Sequence, residues 1–247
     1  MSKRKMEKSR REFLIKSLSV VPVLALSGRA LNAAAAPLPE EAQKNEKAGS
    51  DGRAPRDYQP TFFSREEFAF ISAAVARLIP EDDLGPGALE AGVPEFIDRQ
   101  MQSPFGVGAN WYMQGPFHPD ADPTLGYQLP LKPREIYRLG IAEANGFANK
   151  RHGGLFSQLT VTQQDEILGL LEAGKADFEK LPSNVFFAVL LQNTKEGFFS
   201  DPMHGGNQGL VGWKLIGFPG ARADFMDWVE RGEKYPFPPV SISGDRG

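Results

Sequence analysis

Residues 185–191 constrain the fold more than any other segment, because all seven are apolar and leave no polar face for solvent. Such a segment must be buried on every side, either as a strand or as a helix. The preceding residues 182–184, Pro-Ser-Asn, are typical of a helix start. Residues 192–199 can continue the segment to a length that is uncommon for strands. We therefore predict a buried helix at the centre of the molecule.

Helical patterns dominate the rest of residues 61–230. Ser64 with the following acidic residues predicts a helix start, and that helix stops at Pro80. Further helices are predicted around 93–101, from 134 to about 150, after Thr162 with Asp165 as its capping box, and over 220–230. No run of alternating strands is present. The sequence thus predicts an all-α fold, a single irregular helical domain with long Pro/Gly/aromatic loops.

The organisation along the chain has four parts. Residues 1–35 are predicted to be a cleavable signal, and residues 36–60, which contain almost no apolar side chains, a flexible arm. The helical domain is predicted over 61–235, followed by a C-terminal tail over 236–247. Length and apolar content suit one domain with its own core.

The signal contains the adjacent pair Arg10 and Arg11, followed by Phe13 and Leu14, an apolar stretch over 18–26 and small residues before a predicted cleavage after Ala35. This pattern is typical of a twin-arginine export signal, which addresses folded proteins to the twin-arginine translocase. It predicts a periplasmic protein. The alternative is an uncleaved membrane anchor, but the apolar stretch is roughly half the ~20 residues that a spanning helix needs.

Charge and cysteine content exclude several function classes. The chain has 28 Lys/Arg and 31 Asp/Glu, and loss of residues 1–35 leaves a net charge of about −9. An acidic chain is a poor ligand for nucleic acid or anionic lipid. With no cysteine, the chain has no disulfide, no iron–sulfur ligation, no Cys-linked haem and no cysteine nucleophile.

Candidate catalytic groups are few, since the chain has three histidines. His118 with Asp120 and Asp122 is ligand-like, but a solvated loop explains this cluster better than a metal site. His204 near Asp201 could act as an acid or base, yet no nucleophile or second histidine accompanies it. No dinucleotide or phosphate-loop motif is present. We therefore assign no catalytic, cofactor-binding or metal residue to this chain.

An irregular region over roughly 103–132 combines several prolines and glycines with aromatic residues. A loop of this length inside a compact domain is usually functional or packs against something. Because aromatic side chains dominate interface energetics, this region is a candidate partner surface.

Two sequence motifs resemble a known family. They are GPGA with AGVPEFID over 85–98 and, more specifically, GFFSDPMHGGN over 197–207 continuing to GWKLIGFPG over 212–220. Over roughly residues 62–230 the chain resembles the gluconate 2-dehydrogenase subunit 3 family. The C-terminal motif is the longer and more specific match.

The resemblance implies a small, gamma-type subunit of a membrane-associated gluconate or sugar dehydrogenase. In such a complex a large glucose-methanol-choline-type flavoprotein carries FAD and a multihaem cytochrome subunit carries haem c, while the small subunit supports maturation and export of the flavoprotein. It is an accessory subunit and not an enzyme by itself. The candidate partner contacts are Trp111, Tyr112, Phe117, His204, Gly205, Gly206, Asn207 and Trp213. Two alternatives stay open: an independent periplasmic oxidoreductase or hydrolase that uses His204, and a sugar-binding module.

Overall fold

A computed structural model describes residues 58–247, so the predicted signal with Arg10, Arg11, Phe13 and Leu14, and most of the predicted arm, lie outside the described residues. Within 58–247 the chain is helical, with isolated bridges in place of β-strands. Its α-helices are α1 (Arg65–Leu78), α2 (Val93–Gln102), α3 (Pro133–His152), α4 (Val161–Glu172), α5 (Ser183–Phe199) and α6 (Val211–Ile216). The helical class is confirmed for this part of the chain.

Helix α5 is the centre of the described domain. It contains the apolar run 185–191, and all five other α-helices contact it. Phe186, Leu190 and Phe198 are buried along its length. The predicted helix is confirmed, and its large apolar side chains are covered by neighbouring helices. Burial on every face is not found, because Ala188 is exposed and Val185, Val189 and Leu191 are half-buried.

Aromatic rings from different elements form the core around α5. Phe186 packs against Phe70 of α1 at 6.0 Å and edge-on against Tyr137 of α3 at 6.1 Å between ring centroids. Phe156 lies 4.6 Å from Phe70. Helix α3 approaches closely because Gly140 faces the Phe186 ring, where an added Cβ would lie 2.2 Å from a ring carbon.

The predicted helix start is confirmed for α1 and is wrong by two residues for α4. The Ser64 and Glu67 side chains form the expected capping box at the start of α1. Helix α4 begins two residues earlier than predicted, because Thr160 caps it. Asp165, the predicted capping partner, instead pairs with Arg77 at 2.9 Å and joins α4 to α1.

The predicted helix over 220–230 is too long, and the helix found within it is not an α-helix. Gly220 has a φ of 69° and starts a turn, and the segment forms a 3-10 helix, Ala223–Trp228. Phe225 and Trp228 pack around Tyr235 at 5.4 and 5.8 Å between ring centroids. These aromatic contacts across the segment explain its apolar residues without a regular α-helix.

Residues at the C-terminus fold back on the domain. Val240 accepts a hydrogen bond from the Ala221 amide at 2.8 Å and donates to the Pro219 carbonyl at 3.2 Å. The 236–247 segment, predicted as a tail, is therefore hydrogen-bonded to residues 219–221. Among residues 58–247, no helix combines the length and the apolar character needed to cross a bilayer.

A buried carboxylate fixes the start of the described chain. Asp98 of α2 is fully buried and accepts hydrogen bonds from the Tyr58 hydroxyl at 2.8 Å, from the Thr61 amide and hydroxyl, and from the Phe62 and Phe63 amides. Tyr58 belongs to the segment predicted as a flexible arm. One side chain thus binds the segment 58–63, which precedes α1, to helix α2.

The hydrogen bonds determine the ionisation of Asp98. Burial alone would raise the pKa of this carboxyl, but the Phe63 and Thr61 amides and the Tyr58 hydroxyl outweigh it and hold the pKa below its usual value. Burial and the neighbouring Asp98 raise the pKa of Tyr58 to about 12, so its hydroxyl remains a donor. The carboxylate is therefore the state that the fold stabilises.

We predict that Asp98→Asn lowers the free energy of unfolding by about 3 kcal/mol at neutral pH, because an amide cannot accept all of these bonds. A depressed folded-state pKa gives stability that is present above the unfolded-state pKa of about 3.9 and lost as pH falls through the folded-state value. Urea unfolding between pH 7 and pH 2 should therefore show the difference between wild type and variant shrinking below about pH 4. Asp120→Asn, at an exposed loop residue, is the control. A difference that stays constant with pH contradicts the assignment.

Candidate partner-docking site

The long loop between α2 and α3 is held by backbone hydrogen bonds at its base. The Gly106 amide donates to the Gln100 carbonyl at 3.1 Å, and the Arg134 amide donates to the Gly106 carbonyl at 3.2 Å. A Cβ at Gly106 would lie 2.1 Å from the Met101 carbonyl oxygen, so the close approach needs glycine. The loop is thereby attached to both flanking helices.

An open groove of about 500 Å³ lies in this loop, here called the aromatic groove. Its lining residues are Trp111, Tyr112, Pro116, Phe117, Leu125, Tyr127 and Gln128. Tyr112 is 77% exposed and Leu125 is 68% exposed. Large apolar side chains that are this accessible within one depression are typical of a binding surface.

Packing behind the aromatic groove supports its walls. The Trp111 ring lies 4.8 Å from Tyr127 and 6.1 Å from Phe105, both in edge geometry. The Tyr127 hydroxyl donates to the Leu131 carbonyl at 2.6 Å. Burial, reinforced by Glu135, raises the pKa of Tyr127 to about 12, so the hydroxyl stays protonated and keeps this bond. The groove therefore has an anchored wall and an accessible rim.

The ligand-like cluster around His118 lies on the same loop, with His118, Asp120 and Asp122 all exposed. Asp122 accepts hydrogen bonds from the Thr124 hydroxyl and amide at 2.6 and 2.9 Å, which lower its pKa. Across residues 58–247, no three His, Asp or Glu side chains are grouped closely enough to hold a metal ion. The cluster is explained by a local turn at Asp122.

The second candidate region is the segment 197–220, here called the glycine motif. Its first charged residue, Asp201, is buried, and its carboxylate accepts hydrogen bonds from the Met203 amide at 3.1 Å and the Ile242 amide at 2.7 Å. Asp201 therefore joins the start of the motif to the C-terminal segment. The His204 amide donates to the Asp201 carbonyl at 3.0 Å, but within the part of the chain that the structure describes the Asp201 carboxylate makes no hydrogen bond to the His204 ring.

The buried side chain of Asn207 holds the glycine motif together by hydrogen bonds. It is fully buried, with a φ of 47° in the left-handed region, which Asn adopts more readily than most residues. Its side-chain amide donates to the Ser200 carbonyl, and its side-chain oxygen accepts from the Gly212 amide, both at 2.8 Å. The side chain thus substitutes for backbone hydrogen bonds across the loop.

Two glycines let the motif lie directly on the last turn of α5. A Cβ at Gly206 would lie 2.1 Å from the Gly197 carbonyl oxygen, and one at Gly212 would lie 2.0 Å from that of Phe198. The Trp213 indole donates to the Phe199 carbonyl at 2.7 Å. The motif therefore caps the C-terminal end of α5, whose carbonyls have no intrahelical partner.

The glycine motif also contacts the start of α2. The Gln208 amide donates to the Ala91 carbonyl at 3.0 Å, and its side chain donates to Glu95 at 3.1 Å. Glu95 pairs with Arg99, which reaches the Met203 carbonyl. Segments 85–98 and 197–220, the two motifs of the sequence analysis, are thus one contiguous structure.

The predicted contact residues fall into two groups. Trp111, Tyr112 and Phe117 come together in the aromatic groove, while His204, Gly205, Gly206, Asn207 and Trp213 lie in the glycine motif. In the second group His204 is exposed and the other four are buried within this chain. The exposed residues of the motif are Met203, His204, Gly209, Lys214, Gly217 and Phe218.

Sequence reasoning did not find the other groove residues. Leu125, Tyr127 and Gln128 complete the aromatic groove without any pattern that singles them out. It also did not find Gln208 or Glu95, whose interaction spans 113 residues. The sequence gives one signal for this groove, namely aromatic residues among Gly and Pro in the region 103–132. That composition indicates a surface loop, but it does not show which residues line the groove.

We predict that Gly206→Ala lowers the free energy of unfolding by more than about 3 kcal/mol, because the methyl group meets backbone that cannot move away without opening the motif. Gly146→Ala is the matched control, since Gly146 is exposed within α3 with open space around its Cβ position. That change should stabilise by about 0.5–1 kcal/mol through helix propensity. Chemical denaturation of both variants decides, and similar effects at the two glycines would refute the packing described.

Comparison with known proteins gives one match. The sequence model of gluconate 2-dehydrogenase subunit 3 matches residues 65–220, which is more than half of the chain and runs from the first residue of α1 through the glycine motif. No curated protein and no solved structure shows a significant similarity. The chain belongs to the gluconate 2-dehydrogenase subunit 3 family.

Proposed function

We propose that this chain is the non-catalytic small subunit of a periplasmic, FAD-dependent gluconate or sugar dehydrogenase complex. In this proposal it binds the large glucose-methanol-choline-type flavoprotein, supports its maturation, and carries it through the twin-arginine pathway. FAD belongs to the flavoprotein, and haem c belongs to a multihaem cytochrome subunit. The proposal rests above all on the family match over residues 65–220, since membership implies a subunit within a dehydrogenase complex.

The sequence supports the export part of the proposal. Arg10 and Arg11 precede an apolar stretch in the order that a twin-arginine signal requires. Such signals serve proteins that fold before export, and a flavoprotein that must first bind FAD is a suitable passenger. If the small subunit carries the signal and binds the folded flavoprotein, the translocase exports the two proteins together.

The aromatic groove supports the docking part. Its exposed Tyr112 and Leu125 offer apolar surface that a partner can bury, and the anchored Trp111 and Tyr127 provide a preformed wall. Aromatic side chains in preformed depressions are the usual energetic centres of interfaces. In this proposal the glycine motif has a structural role, because it joins the end of α5 to the start of α2. The exposed His204 and Met203 form a second, smaller contact with the flavoprotein.

We predict that replacing both Arg10 and Arg11 with Lys leaves the flavoprotein partner in the cytoplasm, because the translocase reads the arginine pair. Cell fractionation with an activity stain for the dehydrogenase measures this. Arg4→Lys, which lies outside the pair, is the control and should leave export unchanged. Normal periplasmic flavoprotein in the double variant would rule out the export role.

We predict that the double change Tyr112→Ser with Leu125→Ser weakens binding of the flavoprotein by at least about thirtyfold, the loss of a typical energetic centre of an interface. Titration of the purified flavoprotein with the full chain measures the Kd. Val161→Ser, which is also exposed and lies outside the groove, should leave the Kd unchanged. If the double variant binds as tightly as wild type, the partner docks elsewhere.

A further inference from the structure

The lining of the aromatic groove carries no formal charge. It consists of four aromatic residues, one proline, one leucine and one glutamine. Charged residues make up 24% of the chain, yet none of them lines this groove. A charged segment that entered the groove would lose water without gaining a counter-charge. In charge the groove is therefore complementary to an uncharged segment of a partner.

Two lining residues keep hydrogen-bond donors that the described chain does not use. The Trp111 indole N–H and the Tyr112 hydroxyl have no acceptor within residues 58–247, whereas the Tyr127 hydroxyl donates to the Leu131 carbonyl. The Trp111 indole nitrogen is not one of the buried unpaired atoms of this part of the chain, so it is accessible to a ligand. An occupant that supplies free carbonyl oxygens would satisfy both donors.

A polyproline II segment has the properties that this lining requires. Its proline rings are uncharged and pack on aromatic side chains, and its carbonyls remain free because this helix has no internal hydrogen bonds. The segment is also preformed, so its binding costs little conformational entropy, and aromatic-lined grooves are the usual receptors for it. An α-helix fits less well, because it uses its own carbonyls internally.

We propose that the aromatic groove binds an uncharged, proline-rich segment of the flavoprotein in the polyproline II conformation. The aromatic residues pack on the proline rings, and Trp111 and Tyr112 donate hydrogen bonds to backbone carbonyls of the segment. This assignment rests on the proposed docking of the flavoprotein at the groove, and it adds which kind of segment docks there.

A peptide of about ten prolines with blocked ends is the probe, and an uncharged Gly-Ser peptide of equal length is its control. In the ¹⁵N-labelled full chain the proline peptide should shift the Trp111 indole resonance saturably and leave those of Trp213 and Trp228 unchanged. The Gly-Ser peptide, glucose and gluconate should give no saturable shift. The proposal is overturned by the absence of a saturable Trp111 shift with the proline peptide, or by equal shifts with the Gly-Ser peptide. A saturable shift with either sugar would also overturn it and would indicate a sugar-binding module.

Trp111→Phe separates the indole donor from the aromatic ring. It keeps an aromatic wall but removes the N–H, so it should weaken binding of the proline peptide about fivefold, the loss expected for one hydrogen bond. Trp228→Phe, at a half-buried indole outside the groove, is the matched control and should leave the affinity unchanged. Tyr112→Phe removes only an exposed hydroxyl and should cause a similar loss. Unchanged affinity in both groove variants would overturn the proposal.

Competition with the purified flavoprotein separates this assignment from the proposed function. Saturating proline peptide should displace the flavoprotein from the full chain. If the flavoprotein binds and the peptide does not displace it, this assignment is wrong while the subunit role stands. If the chain self-associates and the peptide disperses it, the occupant is instead the exposed proline-rich segment 236–238 of a second copy. A flavoprotein that does not bind the full chain at all would contradict both.

Discussion

The central position of α5 is the constraint on which the rest of the described structure depends. Its apolar residues 185–191 need cover, and every other described α-helix contacts α5, although Ala188 stays exposed. Close packing requires small residues at the contacts, and Gly140 and Gly197 provide them against the Phe186 and Phe96 rings. Large apolar burial of this kind is the main stabilising contribution in a domain of this size.

The glycine motif follows from the same constraint. The last carbonyls of α5 lie next to backbone of the motif at Gly206 and Gly212, where no side chain fits. The Asn207 and Trp213 side chains add hydrogen bonds between the motif and this end of α5. The segment that resembles the family most specifically is thus largely internal. It defines how the domain closes around its central helix, and in our proposal the partner binds at the aromatic groove.

Local sequence signals predicted part of this structure. The apolar run predicted α5, and the Ser64 capping box predicted the start of α1, because both depend on residues close in sequence. Two threonines at 160 and 162 each have a polar residue three positions later, so sequence alone could not decide between them. The role of Asp98 was not visible because its donors lie 35 to 40 residues away along the chain.

At the candidate site, too, the sequence predicted what depends on residues close in sequence and missed what depends on the folded chain. Aromatic residues in an irregular loop predicted a surface, and Trp111, Tyr112 and Phe117 do lie together. The sequence could not show that Asn207 and Trp213 face inward, since Gly- and aromatic-rich segments are compatible with both a surface loop and a close internal contact. That choice is made by packing against α5, which is a property of the folded chain.

The central claim is that the aromatic groove receives the flavoprotein. A photo-crosslinking amino acid placed at position 112 of the full chain, in cells that produce the complete complex, tests it most directly, with position 161 as the matched exposed site. The account predicts a crosslink from position 112 to the large FAD-binding subunit and none from position 161. A flavoprotein crosslink from position 161 with none from position 112 would contradict it.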